Sequence, residues 1–149
     1  MMRTIRLLAG TLALVTVVWA AEASAAELKV LSTDAMRPML EELAPAFEAT
    51  SKHKLVIAFA SDADVEKQVA SDDTIDIAIL TKARIDKLVS SARILTFPKV
   101  LAQGSSEDLV YVVGTTMATE QPIPAKALMD FLAGPEAKKV YAAKGLKTS

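Results

Sequence analysis

Leu28-Lys29-Val30-Leu31, then Ser32-Thr33-Asp34, then MRPMLEELAPAFEA from Met36 to Ala49: this stretch decides the fold. The first four residues are the apolar body of a strand. The next three are small, polar turn formers. The last fourteen repeat apolar residues at Met36, Met39, Leu40, Leu43 and Phe47, a 3.6-residue period that predicts a helix with one buried face. Pro38 falls in the first turn of that helix, where it is tolerated, and Pro45 lies deeper, where a bend or loosening is expected. A strand, a polar turn and a helix in this order set hydroxyls and free backbone N–H groups at a helix N-terminus, which favours an anion.

Upstream, Arg3 and Arg6 precede an apolar run from Leu7 to Ala20, and Ala23-Ser24-Ala25 follows as a small-x-small site. Residues 1–25 therefore read as a cleaved signal peptide, with export to the periplasm. The run is short for a bilayer crossing, and no second candidate follows, so no membrane span is expected after cleavage. The chain has no Cys, which rules out a lipid-modified cysteine after the leader and any disulfide. About 124 residues remain, enough for one domain with a core of its own. Losing Arg3, Arg6 and Glu22 takes the basic residues from 17 to 15 and the acidic ones from 18 to 17, a net charge near −2. Nothing in that balance suggests a nucleic-acid partner.

Downstream, Lys54–Ala60 (KLVIAFA) is a nearly continuous apolar run, the pattern of a strand covered on both faces. Ser61-Asp62-Ala63-Asp64 opens a short helix carrying Val65 and Val69. Ile75–Leu80 (IDIAIL) is a third buried strand, and a helix runs from about Lys82 to Val89. Such alternation predicts an α/β fold, a three-layer lobe on a mainly parallel sheet. Ligands of such sheets bind outside the carboxyl ends of the strands, so the turns at Ser32–Asp34, Ser61–Asp64 and Thr81 should converge. Ile94–Pro98 and Leu109–Val113 are expected as extended segments, with Ala102–Glu107 as a polar loop between them. Pro124 suits the first position of a helix over Ala125–Ala133. Gly134-Pro135 breaks it, and a last helix spans Glu136–Lys144 before Gly145.

The run from Ala25 to Leu80, AAELKVLSTDAMRPMLEELAPAFEATSKHKLVIAFASDADVEKQVASDDTIDIAIL with its leading alanine, resembles the N-terminal part of periplasmic solute-binding proteins of the molybdate-binding type. ALMDFLAGPEAKKVYAAKGL resembles their C-terminus, and Leu95-Thr96-Phe97-Pro98 and Val110–Val113 are similar to the segments before it. The resemblance implies lobe one of a type 2 periplasmic binding protein serving an ABC importer. Its halves would be residues 26–89 and 94–149, with the inserted second lobe absent between them. The junction at Ser90–Arg93 must then re-route the chain.

In proteins of that type, hydroxyls of the first two turns and backbone N–H groups hold a tetrahedral oxyanion. The resemblance carries that role here to Ala35, with Ser32 and Thr33 close by, and to Ser61 and Asp62; the converging turns add Asp34 and Thr81 to the expected ligand-binding residues. Ala35 stands where a first-turn serine is expected, and Asp62 where a small hydroxyl residue is. A carboxylate about 4 Å from an oxyanion costs roughly 4 kcal/mol at an effective dielectric of 20. Local roles compete. Thr33 or Asp34 is expected to cap the first helix and Asp62 or Asp64 the second, while Ser61 suits either turn chemistry or a ligand contact. Asp76, set in a buried strand, is expected to make a structural hydrogen bond. His53, between two lysines, is expected at the solvated surface, and Asp72-Asp73 in a solvated turn.

No nucleophile motif, phosphate loop or His pair supports an enzyme, a cofactor or a metal site. The function expected is therefore a monomeric, exported binding component that takes a small oxyanion, molybdate-like, or another small polar ligand to an ABC permease. The alternative is a truncated or vestigial lobe that acts as an interaction domain without tight ligand binding.

Overall fold

A computed structural model describes residues 25–72 and 74–149; the leader up to residue 24, and Asp73, lie outside the described residues. The elements are β1 (Glu27–Thr33), a 3-10 turn (Asp34–Met36), α1 (Arg37–Ser51), β2 (Lys54–Ala60), α2 (Asp62–Ser71), β3 (Ile77–Thr81), α3 (Lys82–Ser90), β4 (Lys99–Gln103), β5 (Val110–Thr115), α4 (Pro122–Leu132) and α5 (Pro135–Ala143). One five-stranded sheet has the order β2-β1-β3-β5-β4. β1 pairs in parallel with β2 and β3, and β5 runs antiparallel to both β3 and β4. Four strands thus share one direction and β5 opposes them, as in the lobe of a periplasmic binding protein.

Helices cover both faces. On one, α1 buries Met39, Leu40, Leu43 and Phe47 together with Leu128 and Leu132 of α4 and Tyr141 of α5. On the other, Val65 and Val69 of α2 and Ile85 and Leu88 of α3 pack on Leu31, Ala78, Leu80 and Val112. Each set repeats at helical spacing, which is why each helix has one face to bury. α1 continues through Pro45, whose ring sits on the exposed side of the helix. Tyr141 is fully buried, and its hydroxyl donates to the Leu132 carbonyl at 2.7 Å.

Several sequence expectations shift. β2 is not covered on both faces but is an edge strand. Leu55, Ile57 and Phe59 pack on the α1 side, while Lys54, Val56 and Ala58 are exposed, Val56 at 48%. α2 lies over β1 and β3 and leaves that side of β2 largely bare. The fourth strand falls at Lys99–Gln103, just past the expected segment and two residues into the expected loop. The Ile94–Pro98 segment forms only the single bridge Ile94–Thr116. Only Ile94 of that segment is buried, resting over Gly114, where a Cβ would meet its Cγ2 at 2.6 Å. α4 opens at Pro122, two residues before the proline expected to start it.

The Ser90–Arg93 junction is a tight helix exit. Ala92 adopts φ 56°, and the amides of Arg93 and Ile94 both donate to the Leu88 carbonyl, at 2.8 and 3.2 Å. Beyond it, the Leu95 amide donates to Thr115 and the Met117 amide to Arg93.

Asp76 makes the structural hydrogen bonds expected of it, just before β3. Its Oδ2 accepts from the Lys29 amide at 2.9 Å and its Oδ1 from the Thr119 hydroxyl at 2.6 Å. It thereby ties β1 to the connection between β5 and α4 at the amino-terminal end of the sheet. His53 is not a free surface residue. It is half-buried, its ring lies 6.4 Å from that of Phe47, and its Nδ1 accepts from the Ala26 amide at 3.0 Å. The Lys54 amide donates to the Ala26 carbonyl beside it, so β2 pairing draws His53 against the start of β1.

Candidate functional site

The three turns that leave β1, β2 and β3 emerge at the same edge, as the parallel register requires. Thr33 lies beside Ala60 at the ends of β1 and β2, and Ser32 lies beside Ile79, two residues before the end of β3. β5 closes the row, with Tyr111 opposite Thr81.

In the first turn, Ser32 is fully buried and its hydroxyl donates to the Thr33 carbonyl at 3.1 Å, turned into the sheet. Thr33 is also buried and makes no side-chain cap bond. Asp34 and Ala35 are exposed on the 3-10 turn. The expected cap at Thr33 or Asp34 is absent because the chain enters α1 through that turn. Asp34 instead pairs with Arg37 at 2.8 Å. The Arg37 guanidinium lies 4.3 Å above the centre of the Phe59 ring, so it bridges the first turn to the end of β2.

In the second turn, the capping residue is Ser61, not Asp62 or Asp64. Its Oγ accepts from the Asp64 amide at 3.2 Å and donates to the Asp64 carboxylate at 2.8 Å. This reciprocal arrangement frees Asp62 from any duty to its own helix. Asp62 reaches across to the third turn. Its Oδ2 accepts from the Thr81 hydroxyl at 2.6 Å and its Oδ1 faces the Thr81 amide at 3.4 Å.

Arg84, one turn into α3, completes the arrangement. Its Nε lies 3.0 Å from Asp62 Oδ2, and the same guanidinium pairs with Glu66. Asp62 and Glu66 are four residues apart on α2 and so present both carboxylates to one neighbour. The Glu66 hydrogen bond is the main cause that raises the Arg84 pKa above its ordinary value, with the charges of Glu66 and Asp62 adding to it. The Tyr111 phenol is also raised, first by burial and then by the Asp62 charge, which puts that carboxylate within electrostatic reach of β5.

Of the residues expected at the site, the structure joins Asp62 and Thr81 directly. It keeps Ser61 alongside as a cap and turns Ser32 away. Arg37, Glu66, Arg84 and Tyr111 were not singled out from sequence. The one signal available for Arg84 and Glu66 was the i,i+4 acidic pair on α2. The edge is rich in acids, with Asp34, Asp62, Asp64 and Glu66 set against Arg37 and Arg84. The Ser61 and Thr81 hydroxyls and the Arg37 and Arg84 guanidinium groups are matched to carboxylates of the chain itself. Among the described residues no group of three or more His, Cys, Asp or Glu side chains could hold a metal ion. No described helix is long and apolar enough to cross a membrane.

Comparison with known proteins agrees with this architecture. The periplasmic molybdate-binding protein of Azotobacter vinelandii superposes with a TM-score of 0.73 at 13% identity, over 82% of this chain and 99% of that one. The sulfate-binding protein of Mycobacterium tuberculosis gives 0.67 at 10% identity, over 81% and 86%. The tungstate ABC transporter structure from Geobacter sulfurreducens gives 0.64 at 11% identity, over 78% and 98%. At such identities the likeness is one of fold. No curated protein matches by sequence. The profile of the family described as bacterial extracellular solute-binding protein matches residues 28–106, just over half the chain, from β1 into the turn after β4. The chain belongs to that family of bacterial extracellular solute-binding proteins.

Proposed function

We propose that this chain is the exported solute-binding component of an ABC import system, presenting a small polar ligand to a membrane permease. The observation that carries the reading is the convergence of three strand–helix turns on one sheet edge, with Thr81, Arg37 and Arg84 as donors. Helix N-termini and the carboxyl ends of strands are where ligands of such sheets bind. The ligand would meet Thr33, Asp34, Ala35, Ser61, Asp62 and Thr81, with the backbone around Ser32 behind them. The candidates are small oxyanions, since structures of this fold are named for molybdate, sulfate and tungstate, and other small polar molecules. In this reading residues 1–25 are removed on export to the periplasm. The mature chain acts there as a monomer, a single lobe whose halves, 26–89 and 94–149, join without the second lobe.

The test is thermal melting of the mature chain with molybdate, tungstate, sulfate, phosphate, small organic acids, and small neutral and cationic solutes such as sugars, amino acids and polyamines. A true ligand at 100 times its dissociation constant stabilises by about 2.7 kcal/mol. A shift with at least one of them supports the reading. Cooperative melting with no shift from any of them sinks it.

A second reading is a lobe that acts as an interaction domain without tight ligand binding. It is favoured by the way the edge donors already serve internal carboxylates, Arg37 on Asp34 and Thr81 and Arg84 on Asp62. A one-lobed edge also buries little of any ligand, which limits affinity.

A further inference from the structure

We infer that Asp62 is the specificity-determining residue of this edge, a built-in carboxylate that excludes small oxyanions by occupying the donors they would need. The inference rests on the reading of the edge as a solute site and narrows which solutes it takes.

Three observations carry it. Asp62 is not a helix cap, since Ser61 performs that task. Its carboxylate instead faces a hydroxyl, a backbone amide and a guanidinium from a different strand–helix unit, at 2.6, 3.4 and 3.0 Å. Hydroxyl, amide and guanidinium groups are the donors that recognise a free oxyanion. Third, the side chain is 25% exposed, so it stands at the rim of the edge rather than in the core. An incoming dianion meets a negative charge and donors that are already satisfied. A neutral or cationic ligand meets a fixed acceptor at the same place. Glu66 strengthens the effect, because it holds the other side of Arg84 and leaves little of the guanidinium free. The solutes that fit are therefore neutral or positively charged molecules bearing hydrogen-bond donors, with Asp62 as their acceptor.

The experiment measures sulfate and molybdate binding calorimetrically for the wild-type chain, for Asp62→Ser and for Asp62→Ser combined with Arg84→Gln. Circular dichroism melting verifies that each is folded, and Asp62→Asn serves as a second variant that keeps the volume while removing the charge. Asp62→Ser should bind either anion at least about tenfold more tightly than wild type, because one repulsive charge is gone and three donors are released. The Arg84→Gln change should abolish that gain. Folded Asp62→Ser and Asp62→Asn with no gain would overturn the inference, as would a gain that survives Arg84→Gln, or a wild-type chain that already binds as tightly as the variants. Failure of the solute-binding reading looks different, since the wild-type chain would then respond to no solute of any charge.

Discussion

The Asp62 carboxylate and the Thr81 hydroxyl meet at 2.6 Å, joining the start of α2 to the end of β3 across nineteen positions of sequence. This bond couples the second and third turns of the candidate site into one unit. The Asp34–Arg37 pair, carried over Phe59, couples the first turn to the second. Thr81→Val removes the hydroxyl but leaves Arg84 on Asp62. The expected loss is about 1 kcal/mol, the usual net value of one hydrogen bond at a partly exposed place. Denaturant unfolding measures it, and an unchanged midpoint would mean that the bond contributes nothing in solution.

Asp76 is the structural counterpart at the opposite end of the sheet. It is 8% exposed, and its two oxygens accept from Lys29 and Thr119. Asp76→Ala leaves a part-buried amide and a part-buried hydroxyl without acceptors, so stability should drop by about 1–3 kcal/mol. Hydrogen exchange should place the largest loss of protection at the Lys29 amide and its neighbours. A loss confined to α3 would contradict this role.

Ala92 holds φ 56°, a left-handed conformation that costs an L-residue about 1–2 kcal/mol. Ala92→Gly relieves that strain while adding freedom to the unfolded chain. The expected balance is a gain of about 0.5–1 kcal/mol in stability. A lower melting temperature in the glycine variant would show that the Ser90–Arg93 exit is not strained in solution.

Gly114 in β5 has no room for a side chain beneath Ile94. Gly114→Ala should push Ile94 off its seat and cost about 1–3 kcal/mol, as overpacking does. Combining it with Ile94→Ala, which removes the Cγ2 that a Cβ would meet, should cost less than the sum of the two single changes. Additive losses in the double variant would mean that the two residues do not share the site.

Asp130 gives the pH dependence. Hydrogen bonds from Lys126 and then Lys99 hold its carboxyl below its ordinary value of 3.8. A folded value below the unfolded one means that its contribution is complete above about 3.8 and is lost as pH falls through the lower value. The contribution is small, because the group is exposed and screened. The melting difference between wild type and Asp130→Asn should therefore shrink from pH 7 to pH 2.5. An equal difference at both would remove Asp130 from the acid response.

The amphipathic helices were the most legible parts of the chain. Met39, Leu40, Leu43 and Phe47 mark α1, with Met36 in the 3-10 turn that leads into it, and Val65 with Val69 mark α2, because a 3.6-residue period is a local property of sequence. β4 was less legible. Ile94, Leu95 and Phe97 look like a strand, yet only Ile94 is packed, and the real pairing begins at Lys99. Its partner is β5, and a hydrogen-bonded ladder is not encoded in the composition of one strand. The bare side of β2 was hidden for the same reason, since an apolar run does not say whether a helix will cover it. His53 misled because its partner, the Ala26 amide, lies 27 residues away.

The sequence by itself determined the alternation of strands and helices, and with it a sheet whose turns gather at one edge. Period, turn chemistry and chain direction are local, and parallel strands joined by helices have few ways to stack. Only the tertiary structure decided what that edge presents. Whether Asp62 caps its own helix, faces solvent or spans to Thr81 and Arg84 depends on distances between segments, and electrostatics acts through space rather than along the chain. The same three turns that favour an anion by their helix ends carry, once folded, a carboxylate set among the donors an anion would use.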